Sequence, residues 1–86
     1  MVGIWTRQIE IAERIAEAFT ATGEARGKVW TAEERGIVRV YVSRELSRGR
    51  WQDMGHVEVH PDESISVRME RRQSWVEQVV RDAVGR

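Results

Sequence analysis

A strand-like segment near the middle of the chain carries side chains that can bind a metal ion or transfer a proton. His56, Glu58 and His60 alternate with valines, so in a β-strand all three lie on one face. Neighbours on that face lie about 6–7 Å apart, which lets one histidine and Glu58 share a metal with a ligand from another strand. The two histidines lie about 13 Å apart, too far for both to bind one ion. Arg39 and Arg68, expected beside them, disfavour a cation, so we expect neither a metal nor a cofactor.

The rest of the chain carries no recognisable catalytic motif. It contains no cysteine, which excludes disulfides, thiolate metal sites and a cysteine nucleophile. It also lacks a nucleophile elbow, a glycine-rich phosphate loop and an HExxH helix. Because a small two-layer domain leaves little room for a cleft, we expect a protein that is not an enzyme and that takes no small-molecule substrate.

The composition is typical of one small folded domain, which we place over residues 1–86. The chain is 41% hydrophobic and 33% charged with a single proline, so it is neither disordered nor collagen-like. Fourteen basic residues balance fourteen acidic ones, which argues against a polyanion-binding surface but not against a local basic patch. The sequence shows no membrane span and no signal peptide, and we expect a cytoplasmic protein without a membrane partner.

Two helices are predicted, one at each end of the chain. Apolar residues recur every three or four positions over about 6–22, with charged residues on the opposite side. Gly23 and Gly27 then end this helix. Ser74 and Glu77 form a capping box that begins the second helix.

The segments between the helices are predicted to form an antiparallel sheet. Alternating apolar and polar residues predict strands over 37–46, 51–60 and 64–70. Residues 28–32 fit a short extra strand, but residues 31–34 also fit a capping box that begins one helical turn, and both interpretations stay open. The fold class is therefore α+β: a two-layer sandwich in which a meander of three or four strands carries both helices on one face.

The pattern of faces selects one register for the strands. A two-residue turn at Arg48 and Gly49 places Ser47 opposite Arg50, and a three-residue turn occupies 61–63. Inward residues then meet inward residues, whereas a shift by one residue would pair inward with outward. The inward pairs are Leu46–Trp51, Val42–Gly55, Val40–Val57, Val38–Val59, Val59–Ile65 and Val57–Val67.

Two features of this register need a physical explanation. Arg44 and Asp53 point inward between apolar neighbours, so either they pair at the frayed end of the sheet or a bulge rotates them outward. Gly55 is also inward, and its missing side chain should let a helix approach the sheet closely.

The chain is rich in tryptophan, and we expect these side chains to form the core. The alternative is that one of them is an exposed anchor for a partner, because tryptophan is enriched at interfaces. The four are Trp5, Trp30, Trp51 and Trp75.

The side of the sheet that faces away from the helices, called here the outer face, is a candidate interface. Tyr41, His56 and Arg68 line up across three strands in the predicted register. Around them lie Arg39, Glu58 and Met54. If no second layer covers this face, its mixture of aromatic, cationic and acidic side chains is typical of surfaces that bind proteins. The partner can be another copy of the chain, since an exposed strand edge also invites self-pairing.

A second candidate surface is an arginine-rich end of the sheet. The first and third strands of a meander run the same way, so the turn at 47–50 and the exit at 70–74 are expected at one end. That end would carry Arg48, Arg50, Arg71 and Arg72, with Arg44 nearby. Four arginines can hold a phosphate backbone or an acidic partner, although neighbouring carboxylates neutralise part of their charge.

The predicted order of helix, three antiparallel strands and helix resembles the double-stranded-RNA-binding domain in outline. The residues differ from that family at three RNA-contacting regions, the first of which is the acidic first helix. The loop at 47–50 lacks its histidine, and the start of the second helix at 71–73 lacks its lysines. The resemblance is therefore one of shape, which does not determine function.

These observations favour a non-catalytic protein–protein interaction module that uses the outer face (Arg39, Tyr41, His56, Arg68) and the arginine-rich end. The alternative is binding to the backbone of double-stranded RNA or DNA through the arginines.

Overall fold

Six elements follow one another in the computed structural model, which describes residues 3–32, 36–70 and 74–85. They are α1 (Gly3–Ala21), β1 (Ala25–Ala32), β2 (Ile37–Ser47), β3 (Arg50–Val59), β4 (Ile65–Met69) and α2 (Ser74–Val84). The strands form one antiparallel sheet in the order β1-β2-β3-β4. The α+β sandwich with both helices on one face is thus confirmed.

The first strand settles an interpretation that the sequence left open. Residues 25–32 form a strand along β2, with Val29 opposite Val40. Thr31 and Ala32 belong to this strand, and the remainder of the alternative helical turn lies outside the described residues. The sheet therefore has four strands, one more than the outline shared with the RNA-binding domain.

α1 packs through its apolar side onto β1 and β2, and α2 packs against α1 and joins the same core. A buried polar side chain also fixes α1, because the Gln8 amide donates hydrogen bonds to the carbonyls of Gly36 (2.7 Å) and Val59 (3.0 Å). The buried core is formed by Ile11, Ala12, Ile15, Ala16 and Phe19 of α1, Val76, Val80 and Ala83 of α2, and Ala25, Val38, Val40, Val42, Met54, Val57 and Val59 of the sheet.

The predicted register is correct in the middle of the sheet and wrong near the β2–β3 turn. Val38–Val59, Val40–Val57, Val42–Gly55, Val57–Val67 and Val59–Ile65 all pair as predicted, as does Ser47–Arg50. The predicted pairs Leu46–Trp51 and Arg44–Asp53 do not form, because Arg44 lies opposite Gln52 and Trp51 opposite Glu45. The cause is two irregularities, which leave Met54 and Leu46 without a cross-strand partner.

The bulge at Met54 explains one of the two inward charges that the sequence could not place. Arg44 keeps the inward phase of Val42, opposite the buried Ala25, and is exposed at the end of β1. On β3 an extra residue reverses the alternation of faces, so Asp53 turns outward opposite Ser43, as the bulge interpretation predicted. The same reversal directs the Met54 side chain towards the core. The expectation that Met54 lies on the outer face was therefore wrong.

Two glycines have different roles from those predicted. Gly27 lies in β1 instead of ending α1, and a Cβ there would lie 2.6 Å from the Cα of Ala16, so this glycine lets the helix approach the sheet. Gly55 has φ 131°, and a Cβ there would meet the carbonyl oxygen of Arg68 on β4. Gly55 thus accommodates a neighbouring strand and not a helix.

The tryptophans do not form the core as a group. Trp30 is 50% exposed and Trp51 is 40% exposed, whereas Trp75 is half-buried against Phe19 with ring centroids 6.1 Å apart. Valines of the sheet and apolar side chains of α1 fill most of the interior instead. The core expectation is wrong for Trp30 and Trp51, and the side chain of Trp5 lies outside the described part of the chain.

The helices are too short or too polar to cross a bilayer. Over the described ranges, no helix has the length and apolar character of a membrane span.

Candidate functional site on the outer face of the sheet

The outer face has no second layer among the described residues. The buried residues of both helices join one cluster with the inward valines of β2 and β3, so both helices cover the same side of the sheet. The outward side chains of the four strands are left facing solvent or one another. The condition attached to the predicted interface is therefore met within the described part of the chain.

The register assembles this face in two neighbouring rows. Tyr41 lies opposite His56 and His56 opposite Arg68, as predicted, and β1 adds Lys28 beside Tyr41. The second row is Trp30, Arg39, Glu58 and Ser66. Four predicted site residues, Arg39, Tyr41, His56 and Arg68, thus lie together.

Three aromatic rings form a continuous ladder across β1, β2 and β3. The ring of Trp30 meets that of Tyr41 edge-on at 6.2 Å, and Tyr41 meets His56 at 5.6 Å. Such tilted arrangements bring the electropositive ring edge towards the electronegative face. Half of Trp30 stays exposed at the end of the ladder, so the most accessible ring has a fixed support.

Glu58 lies at the centre of the polar half of the face and is only 9% exposed. Its carboxylate is surrounded by nitrogen atoms of four side chains. The distances are 3.7 Å to Arg39 Nε, 3.4 Å to His56 Nε2, 3.9 Å to His60 Nε2 and 3.5 Å to Arg68 Nε. A nearly buried charge needs such partners, since removal from water is otherwise costly.

The surroundings of Glu58 affect its ionisation in opposite directions. Burial raises the pKa of the carboxyl, but hydrogen bonds from His56 and Arg68 and their positive charges lower it by more. The net pKa of Glu58 is below its ordinary value. The carboxylate is therefore ionised at neutral pH and serves as the shared acceptor of the face.

The remaining polar atoms of this region hold one another in place. Arg39 donates a hydrogen bond to the Tyr41 hydroxyl at 3.3 Å, and the His60 imidazole lies 2.9 Å from the Ser66 hydroxyl. His56, Glu58 and His60 share a face as the alternation predicted, but in the described part of the chain no three acidic or histidine side chains are arranged to hold a metal ion.

The arginine-rich end is only partly assembled. Arg48 and Arg50 flank the β2–β3 turn and are exposed, whereas Arg71 and Arg72 lie outside the described residues. β4 ends at Met69 opposite Gly55. β4 runs in the same direction as β2 and so ends towards the β2–β3 turn, as predicted, but the turn lies about 17 Å beyond that end, at five residues of strand.

The β2–β3 hairpin instead projects as a two-stranded arm, defined here as residues 45–52. Its neighbours stop short of it, because β1 begins opposite Arg44 and β4 ends opposite Gly55. At the base of the arm the Arg26 guanidinium lies 4.1 Å from the centroid of the Trp51 ring, a cation–π contact. Leu46 on the arm is also exposed.

The most exposed aromatic residue of the face was missed by sequence reasoning. Trp30 lies on β1, and only acceptance of 28–32 as a strand would have placed it on the same face as Tyr41. The alternation of Lys28 and Trp30 with the apolar Val29 was the available signal.

Comparison with known proteins gives no match: no protein-family model, no curated protein and no solved structure matches this chain. What the protein binds must therefore be inferred from its own residues and geometry.

Proposed function

We propose that this protein is a non-catalytic module that binds a protein partner on the outer face of its sheet. The observation that carries the proposal is the uncovered aromatic ladder that ends in the half-exposed Trp30. A large ring held by its neighbours loses little side-chain entropy on binding, which is why tryptophan and tyrosine dominate interface energies.

The charges around the ladder support a protein partner with an acidic contact region. Glu58 is nearly buried, whereas the side chain of Arg68 is 65% exposed and Lys28 is exposed at the other end of the row. The accessible charge beside the ladder is therefore positive. A partner that buries an apolar group on Trp30 and places carboxylates near Lys28 and Arg68 would match this surface.

A paired substitution tests this surface. Trp30→Ala with Lys28→Glu removes the exposed ring and reverses an exposed charge beside the ladder, and stability should change little because both side chains are accessible and Lys28 is not one of the cations around Glu58. Glu13→Gln, on the exposed side of α1, is the control. Tagged proteins are used to capture partners from the cells that make the protein, and the captured proteins are quantified by mass spectrometry.

A protein retained by the wild type and by Glu13→Gln should fall at least tenfold with the double variant, as expected when about 1.4 kcal/mol or more of binding energy is lost. Equal capture by the double variant contradicts the proposal. Trp51→Ala removes an exposed ring from the arm. Comparison with the double variant shows whether the partner contacts the aromatic ladder or the arm.

The projecting arm favours nucleic-acid binding as a second candidate function. A two-stranded ribbon fits the major groove of DNA, and Arg44, Arg48 and Arg50 are exposed along this hairpin. Its binding to duplex DNA and RNA should weaken steeply with salt and should be lost with Arg48→Ala and Arg50→Ala. No retention at about 50 mM salt would remove this candidate.

A further inference from the structure

β4 is an edge strand, and the backbone groups of its described residues that do not bond to β3 point away from the sheet. The His60 amide donates a hydrogen bond to the Ser64 carbonyl, and the Glu70 amide donates one to the Met54 carbonyl. At both ends of β4 it is therefore the even-numbered residue whose backbone groups point towards β3. In an antiparallel ladder these groups alternate along the strand. The amides and carbonyls of Ile65, Val67 and Met69 therefore face outward.

An apolar groove lies beside this edge, between β4 and α2. Its volume is about 490 Å³, and its lining is Ile65, Val67, Glu77, Val80, Arg81 and Val84. Ile65 and Val67 are only half-buried, and Val84 is 41% exposed. The helical layer thus leaves apolar surface uncovered directly next to a strand with unpaired backbone groups.

We propose that a second copy of this chain pairs with this edge, β4 against β4, about a two-fold axis at Val67. In this register Val67 meets Val67 of the second copy, and Ile65 meets its Met69. These three positions are the ones whose backbone groups face outward, so the register pairs every free amide and carbonyl along the five-residue strand. A register centred on Ser66 or Arg68 would pair fewer of them.

The side chains are self-complementary in the same register. On the outer face Ser66 meets Arg68 of the second copy, so no like charges lie directly opposite. On the inner side the half-buried Ile65, Val67 and Met69 form a continuous apolar row across the seam. A two-fold axis is satisfied only by a surface that complements itself, and this edge meets that condition.

The helices add charge complementarity above the seam. The two-fold axis makes α2 antiparallel to α2 of the second copy and brings Val84 towards apolar residues of that helix. Glu77 and Arg81 lie one turn apart on the groove rim. Antiparallel packing places Glu77 of one copy near Arg81 of the other, twice per dimer.

The opposite edge of the sheet is less suited to self-pairing. β1 carries Arg26 and Lys28, and the amide of Gly27 donates a hydrogen bond to the Thr20 hydroxyl at 3.4 Å. Charged side chains on an edge strand and a covered amide both oppose the addition of another strand. β4 has an uncovered apolar groove instead.

The dimer would join two sheets into one of eight strands. Because the axis is perpendicular to the sheet, both outer faces lie on the same side, and the two copies of Trp30, each on β1, lie at the two far edges of the joined sheet. The pairing does not depend on the proposed function, since the backbone groups of the β4 edge and the groove beside it carry the argument and Trp30 takes no part in it.

A charge exchange on α2 tests the pairing. Association of the full chain is measured by sedimentation equilibrium at micromolar concentration for the wild type, Arg81→Glu, and Glu77→Arg combined with Arg81→Glu. The single change should weaken the dimer at least tenfold, and the exchange should restore most of its affinity. Glu13→Arg, a charge change of equal size on α1, and Trp30→Ala should leave association unchanged.

Hydrogen exchange followed by NMR identifies the edge itself. The amides of Ile65, Val67 and Met69 should exchange slowly in the dimer and rapidly on dilution to the monomer. A chain that stays monomeric at high concentration overturns the proposal, as does a dimer in which these three amides exchange rapidly. Protection that appears only when a different protein or a nucleic acid is added also overturns it.

Discussion

At the scale of single residues, Glu58 holds the outer face together. Its nearly buried carboxylate lies beside two guanidinium groups and two imidazoles, which positions the cations around the aromatic ladder. Removing one member of such a group leaves the others without a partner in a poorly hydrated place. The integrity of the site should therefore depend on this acid more than on any exposed residue of the face.

Glu58→Gln should destabilise the fold near neutral pH by roughly 1.5–3 kcal/mol, the range for hydrogen bonds to charged groups. Because the pKa of Glu58 is lower in the folded protein than in the unfolded chain, the unfolded chain binds a proton first as the pH falls. The stabilisation is therefore complete above the ordinary glutamate range and is lost as the pH falls below it. Urea unfolding of both proteins from about pH 6 to about pH 2 measures the difference.

Glu13→Gln is the control for this pH dependence, because it removes an exposed carboxylate on α1, away from the sheet. Asp62 is not a suitable control, because its pKa is also lowered, by hydrogen bonds from the side chain and backbone of Ser64. The acid dependence of the wild type should persist in Glu13→Gln and diminish in Glu58→Gln. A constant difference between wild type and Glu58→Gln at every pH would contradict the role assigned to the charge.

At the scale of elements, the close packing of α1 on β1 depends on Gly27. A methyl group there would lie 2.6 Å from the Cα of Ala16 and 3.0 Å from its Cβ and its carbonyl oxygen, so the helix would have to move. Gly27→Ala should cost about 1–3 kcal/mol of stability, the range for overpacking. Thermal or urea unfolding measures this loss.

Gly23→Ala separates crowding from backbone strain. Gly23 has φ 78°, and no neighbouring atom lies within 4 Å of the place that a methyl group would take, so its replacement adds strain but no clash. Gly27 has no such φ, and its replacement adds a clash without strain. If Gly27→Ala is as stable as the wild type, the close approach of helix and sheet is not required.

The elements also show how far the sequence determines the site. Alternation placed Tyr41, His56 and Arg68 on one face correctly, because register is fixed wherever valines on the other face are buried. It failed at Met54, since a single extra residue reverses the faces and leaves no mark in the alternation itself. Trp30 was missed because the glycine and lysine at 27–28 weaken the strand signal in β1.

At the scale of the whole molecule, the fold separates three surfaces with different chemistry. The outer face carries the aromatic ladder, the arm carries exposed arginines, and the β4 edge carries unpaired backbone beside an apolar groove. The arm extends the long dimension of the molecule, whose extents are 42 × 25 × 20 Å. The outer face and the β4 edge meet at Ser66 and Arg68, whereas the arm shares no side chain with the β4 edge.

Dimerisation through β4 would increase the apparent affinity of the outer face for a repeated or dimeric partner. Two Trp30 surfaces on one side of a continuous sheet can engage a repeated or dimeric partner together, and the second contact then forms at a high effective concentration. Arg81→Glu should therefore weaken capture of such a partner without altering any residue of the outer face. Comparison of partner capture with the association constants tests this link.

Whether Trp30 contacts a partner protein can be decided by site-specific photo-crosslinking at position 30. Trp30 is replaced by p-benzoylphenylalanine in the cells that make the protein, with the same replacement at Glu13 on the exposed side of α1 as the control. We expect a covalent adduct with a partner protein from position 30 and none from position 13. An adduct with nucleic acid alone, or protein adducts of equal yield from both positions, would contradict the proposed use of the outer face.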